Sequence, residues 1–210
     1  MKRVAILQSN YIPWRGYFSL IKDVDEFIFY DDVQYTVRDW RNRNKIKTNN
    51  GEMWLTIPCG SNCERVINEV EPVNSYWQKK HWESIRRNYS KSRYWTQYKD
   101  FFEDFYINNA WTNLSELNQY LIKEIAVNFL DIKSVIFQDS RAYCVEGKKE
   151  DRLLNLLKTV DARTYVSGPA AKAYLNEERF KREDIDVIWF DYNSMHEYRQ
   201  LHGEFVDKLS

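Results

Sequence analysis

The sequence predicts a three-layer α/β fold with a mostly parallel sheet, and three observations lead there. First, the apolar runs "RVAIL" (3–7) and "EFIFYDDV" (26–33) are separated by a segment long enough for a short helix. Two strands joined in this way form the βαβ pattern, which pairs them in parallel. Second, the last third alternates: "SVIFQD" (134–139), "KEDRLLNLLKTV", "RTYVSG", "PAAKAYLNE" and "IDVIWFDY" read strand, helix, strand, short helix, strand. Third, no internal repeat or low-complexity tract interrupts a single layered arrangement over 1–210.

Taken in order, "VAIL" is a strand, "RGYFSLIKDV" forms two or three helical turns, and the chain returns to strand at 26. A hairpin excursion over 35–74 follows, because the Asn50–Gly51 step stands between the strand-like "RNKIKT" and "EMWLTIP". "RVINEVEPV" (65–73) reads as one more short strand. From 75 to 130 the character is that of a helical insert or layer. Trp77, Trp82, Ile85 and Tyr89 approximate helical spacing. Asn113 with Glu116 three residues on is a capping pair, and Leu114, Leu117, Leu121, Ile125 and Phe129 make one apolar stripe. Pro169 directly after Gly168 suits a helix start.

Apolar residues make up 43% of the 210 and aromatics 16%, ample for a core with Tyr and Trp left for a wet cleft or an interface. The 31 basic and 31 acidic side chains balance, so nothing draws the whole chain to nucleic acid or an anionic membrane, and nucleic acid is not an expected partner. No apolar stretch of roughly 18 residues and no signal-peptide pattern occurs. Cys59, Cys63 and Cys144 are an odd number without an evident pairing, and the C-x3-C spacing of the first two has no second half to complete a zinc site. The expectation is a reduced, cytoplasmic protein that does not insert into membranes and holds no metal.

Ligands of open parallel sheets bind beyond the carboxyl ends of the strands. That rule gathers Gln8, Ser9, Asn10 and Tyr11 after the first strand; Asp31, Asp32 and Gln34 after the second; and Asp139, Ser140 and Arg141 after a later one. It adds Ser167 and Gly168 with the amides of a helix start, and Asp191 and Tyr192 after the last strand. Adjacent Asp31 and Asp32 point to opposite sides of an extended chain, so one of them at most faces a given ligand; a turn or cap role competes with proton transfer. Arg41, Arg43 and Lys45 alternate along an extended segment beside Trp40 and form a cationic rail suited to phosphate, or simply a solvated edge. His81 is a candidate general base, or else a half-buried hydrogen-bonded residue, and His202 carries the same two readings. No G-x-S-x-G, P-loop or G-x-G-x-x-G occurs.

These blocks carry a resemblance. "LQSNYIPWRGYFSLI", "FIFYDDVQYTVRDWRNRNKIKT" with "WLTIPC", "DRLLNLLKTVDARTYVSGPAAKAYL" and "YRQLHGEFVDKLS" are similar to the WbqC-like proteins, over nearly the whole chain. The resemblance implies bacterial surface-polysaccharide (O-antigen, lipopolysaccharide) biosynthesis and a transferase acting on a nucleotide-linked sugar. Two departures stand out: Ser9 replaces the Pro of the usual "Q-P-N-Y", and family chains continue past "LS" with an apolar tail. More distantly, "YIPWRGYFSLI" resembles the turn of nucleotidyltransferase-type α/β enzymes, with Trp14 and Tyr17 where that pattern has two histidines. Trp and Tyr cannot carry a histidine's positive charge, so this likeness implies a related HUP-like Rossmannoid fold more than adenylyl transfer.

The leading expectation is acyl or aminoacyl transfer to the amine of a nucleotide-linked amino sugar. Arg41, Arg43 and Lys45 hold phosphates; Gln8, Asn10 and Tyr11 orient the sugar or acyl group; His81, Asp31 or Asp32 takes the amine proton; and Ser167–Gly168 faces developing negative charge. No tightly bound cofactor is expected, with ATP or an acyl-thioester as candidate co-substrate. The alternatives are a nucleotidyltransferase or ATP-dependent ligase, with Trp14 and Tyr17 at the phosphates, and a non-catalytic sugar-nucleotide-binding or scaffolding protein.

Overall fold

The computed structural model describes residues 1–210. In chain order its elements are β1 (Arg3–Leu7), α1 (Arg15–Lys22), β2 (Glu26–Phe29), β3 (Arg43–Thr48), β4 (Gly51–Thr56), α2 (Tyr76–Tyr89) and α3 (Trp95–Glu103). Then come α4 (Leu114–Glu124), β5 (Ile136–Asp139), α5 (Lys149–Thr159), β6 (Thr164–Ser167), α6 (Glu177–Lys181) and β7 (Asp186–Trp189). They fall into two compact units. One comprises residues 1–9, 16–33 and 119–195; the other comprises 10–15, 34–118 and 196–210.

The first unit is the predicted α/β layer structure. Its five strands are all parallel, in the order β5-β2-β1-β6-β7. β1, β2 and β6 are covered on both faces, which explains why they read as unbroken apolar runs rather than alternating ones. Val4, Ile6 and Ile28 point to one side and pack with Leu154 and Leu157 of α5, Val160 just after it, and Phe180 of α6, whose ring stacks on Tyr165 at 6.0 Å. Phe27 points to the other side, against Tyr17 of α1 at 5.5 Å, and Phe29 stacks on Phe137. Burying each such side chain contributes about 1.5–3 kcal/mol.

The sheet's pairing is uneven. β1–β2, β2–β5 and β6–β7 each align four residue pairs. β1–β6 aligns only Arg3 with Thr164 and Val4 with Tyr165, and then stops, although both strands continue. The strand order reverses direction at this junction, with β2 and β5 to one side and β6 and β7 to the other.

The second unit holds the hairpin. β3 and β4 align six pairs from Arg43–Thr56 to Thr48–Gly51, so the turn itself is Asn49–Asn50, and Gly51 at φ +96° begins the returning strand. α2 buries Trp77, Gln78, His81 and Trp82. The predicted strand over 65–73 does not form. Only Val66 makes an isolated bridge, to Gln34, and Ile67–Glu69 is a 3-10 turn. The fully buried Ile67 and Val70 are three residues apart, and the Val70 amide bonds the Ile67 carbonyl at 3.1 Å, so local helical bonding outcompetes pairing.

Asn113 caps α4 as its sequence implies, accepting the Glu116 amide at 3.0 Å. The apolar stripe departs from a straight helix after Leu121. A π-helical turn at Ile125–Phe129 adds a residue to the turn and rotates the buried face, so Ile122 and Ala126 are fully buried while Ile125 and Phe129 are only partly covered.

Candidate functional site

In the first unit, the carboxyl ends of the strands bring together Gln8, Asp31, Asp32, Ser167 and Gly168. They lie where the β1–β6 pairing stops and along the neighbouring strand ends. Tyr17 is also in this unit but sits in the core, with its hydroxyl donating to the Gln8 carbonyl at 3.0 Å. Gly168 keeps ordinary extended dihedrals, and a Cβ there would lie 3.5 Å from the Tyr192 hydroxyl. Burial raises that phenol's pKa, so it is a hydrogen-bonding group and not an anion at neutral pH.

The aspartates form a tied network rather than an open acidic cluster. Asp31 is fully buried and accepts the Ser9 amide at 2.7 Å and Gln119 Nε2 at 3.3 Å. Asp32 accepts the Ser140 hydroxyl at 2.6 Å and is ion-paired with Arg152, which also donates to the Asp32 carbonyl at 3.1 Å. Asp139 takes a bidentate grip from Arg141, 2.9 and 3.0 Å, and Gln119 at 2.8 Å. Burial would raise the Asp139 pKa, but the Arg141 and Gln119 hydrogen bonds outweigh it and hold the carboxyl below its ordinary range. No group of three or more His, Cys, Asp or Glu side chains is arranged to hold a metal ion.

Asn10, Tyr11, Trp14, Gln34, Trp40, Arg41, Arg43, Lys45, His81 and His202 belong to the second unit. Tyr11 and His81 are buried there in one chain of hydrogen bonds: Tyr106 to Tyr11 at 2.6 Å, and Tyr11 to His81 Nδ1 at 2.7 Å. The imidazole's N–H donates to the Thr56 carbonyl, which leaves Nδ1 as the acceptor from Tyr11. Burial pulls the His81 pKa down to about 4, with the Thr56 bond opposing, so the ring is neutral at physiological pH. Burial also raises Tyr11 and Tyr106 well above the ordinary phenol. Every member of this chain is committed to another, which suits a structural hub better than proton exchange with a ligand.

The cationic rail is not uniform. Arg41 faces Asp39 at 3.5 Å, Lys45 pairs with Glu52, and Arg43 lies over the Trp54 ring at 4.2 Å. Gln34 donates to the Cys63 carbonyl at 3.2 Å, and Trp14 is half-buried. His202 joins Asn49 and the Asn88 carbonyl (2.8 Å), while the buried Lys47 ammonium is held by Gln200 and the Gly203 and Glu204 carbonyls. These bonds fix the terminal "YRQLHGEF" segment within its unit.

Sequence reasoning missed Gln119, Arg152, Tyr106 and Trp54. Arg152 and Tyr106 lie 120 and 95 residues from their partners, with no local pattern to mark them. Trp54 could have been found, because the hairpin register opposes it to Lys45.

A family model described as the WbqC-like protein family matches residues 8–210. An uncharacterized protein of Mycobacterium tuberculosis, Rv1507c, is 44% identical over 212 residues, covering 100% of this chain and 91% of that protein. No solved structure matches, and the comparisons give the likeness to nucleotidyltransferase-type enzymes no support. No helix is long and apolar enough to cross a membrane.

Proposed function

The chain belongs to the WbqC-like protein family, and on that premise we propose that it is a transferase of bacterial surface-polysaccharide biosynthesis, moving an acyl or aminoacyl group to the amine of a nucleotide-linked amino sugar. The observation that carries this reading is the stop in β1–β6 pairing at the point where the strand order reverses. In parallel α/β sheets that point opens a crevice at the strands' carboxyl ends, and ligands bind there.

In this reading Gln8, Ser167 and the Tyr192 hydroxyl orient the ligand, and Gly168 lets it approach the backbone closely. The amine nitrogen attacks the acyl carbonyl, a C–N bond forms, and the bond to the thiol or phosphate leaving group breaks. The amine proton passes to an aspartate at the strand ends. Asp31 is fully buried, whereas the Asp32 side chain keeps 15% of its exposure, so Asp32 is assigned the proton. A cytoplasmic location follows from the same reading, because nucleotide-linked sugars and acyl-thioesters are made there.

The test is thermal stabilisation by nucleotide-linked amino sugars, acyl-thioesters and ATP, each alone and in pairs, with mass spectrometry on the best pair. A donor–acceptor pair that stabilises the protein and yields an acylated sugar supports the reading. Gly168→Val, whose backbone dihedrals a valine adopts without strain, fills the approach and is expected to abolish ligand stabilisation while leaving the unliganded melting temperature within about 3 °C. Absence of stabilisation by any nucleotide-bearing ligand would sink it.

A further inference from the structure

The second unit carries a feature that the transfer reaction does not use. On one face of the β3–β4 hairpin, the Arg43 guanidinium lies 4.2 Å and the Lys45 ammonium 5.1 Å from the centroid of the Trp54 ring. Trp40 adjoins Trp54, with ring centroids 5.7 Å apart and planes inclined by 34°. Both indoles remain open to solvent, at 42% and 41% of full exposure. Neighbouring charges cancel in pairs: Lys45 with Glu52 and Arg41 with Asp39. Arg43 is the exception. Its buried Nε has no hydrogen-bond partner, and the guanidinium makes no ion pair, meeting only the indole face.

A guanidinium that has no carboxylate partner and lies beside an exposed aromatic plate offers its terminal nitrogens to an anion, and that points to a ligand that supplies one. The plate defines what accompanies that anion. Two indoles in contact leave no slot into which a flat base could slide, and their tilt lets a planar ring lie on only one of them. A puckered pyranose presents several C–H bonds, each slightly positive, to the electron-rich indole faces, and successive rings of a chain can follow a bent plate. Lys45 opposite Trp54, and Glu52 and Thr56 two residues to either side of it, border the plate with polar groups.

We propose that the Trp40–Trp54–Arg43 face is a binding site for an anionic saccharide, with pyranose rings on the two indoles and a ring carboxylate or phosphate on the Arg43 guanidinium. It rests on the second unit alone and does not require the transferase reading.

The test measures binding of trigalacturonate, maltotriose and uridine monophosphate to the whole chain by calorimetry. Trigalacturonate is expected to bind at least about tenfold more tightly than neutral maltotriose. Trp40→Ala and Trp54→Ala each weaken it about tenfold, and Arg43→Gln removes the preference for the charged sugar. Trp54→Phe keeps an aromatic face and the strand pairing, and is expected to stay within about threefold of wild type, which separates loss of contact from loss of fold. Equal affinity for the two trisaccharides overturns the proposal, as does no binding of either, or alanine variants that bind like wild type. Tighter binding of uridine monophosphate, lost in the same variants, assigns the face to a nucleobase and overturns it equally.

Discussion

The two units draw on one opening segment, "QSNY", and treat its polar groups in opposite ways. In the first, the Ser9 amide is absorbed by Asp31, part of a network of aspartates, arginines and a shared glutamine at the strand ends. In the second, Tyr11 joins Tyr106, His81 and Thr56 in a buried chain with no formal charge. Ion pairs at a strand edge can keep charge because water or a ligand reaches them, and the exposed Arg141 guanidinium shows that this edge is open. A deep core cannot support unbalanced charge, and neutral donors and acceptors satisfy one another there at lower desolvation cost. The difference sets an open, charged strand edge against a rigid, neutral core.

Three experiments would sharpen or break this contrast, the strongest first. Asp32→Ala removes the carboxylate from a mostly buried pair (15% exposed for Asp32, 18% for Arg152) and is expected to destabilise the protein by about 3–4 kcal/mol. The Asp32→Ala/Arg152→Ala double variant should recover part of that loss in denaturant melts, because the stranded cation is removed with its partner. If the single variant costs less than about 1 kcal/mol, the network is solvated and not structural.

Second comes the pH dependence of the neutral core. The folded His81 pKa is depressed from 6.5 to about 4, so the unfolded chain binds the proton first. The resulting stability is fully present above pH 6.5 and is lost as pH falls toward 4, on the order of 3 kcal/mol across the window. Imidazole signals in a pH-resolved NMR titration are the check. A His81 ring that protonates near 6.5 would remove the basis for calling this core neutral and closed.

Third, Tyr11→Phe deletes one hydroxyl and leaves the His81 acceptor and the Tyr106 donor unmet, a cost of about 2 kcal/mol. The loss should be nearly independent of ionic strength, unlike any change at the exposed Arg141–Asp139 pair. Strong salt dependence for Tyr11→Phe would mean that charge enters the buried chain after all.

Much of the architecture was legible beforehand because its signals are local. The apolar runs around Val4, Phe27 and Val166 have the composition of covered parallel strands, and the residues flanking Asn49–Asn50 alternate as a hairpin must. Residues 65–73 carry the β-branched composition of a strand, yet Ile67 and Val70 share a helical spacing, and the local bond between them wins. The apolar stripe of α4 runs on in sequence to Ile125 and Phe129, and no local pattern marks the π-turn that begins after Glu124. Among candidate site residues, position at a strand end was readable, but partnership was not. Asp31, Asp32 and His81 looked alike as proton acceptors until their neighbours were known.

Local pattern in the sequence is enough for the order of strands and helices outside 65–73, for the hairpin, and for polar residues at the carboxyl ends of a parallel sheet. These follow from side-chain periodicity and backbone preference over a few residues. Tertiary structure alone decided that Ser9 and Tyr11 serve different units, that Arg152 answers Asp32 across 120 positions, and that Arg43 meets an indole instead of a carboxylate. The physical reason is that a hydrogen bond or ion pair is settled by which groups are desolvated together, and desolvation is a property of the packed chain.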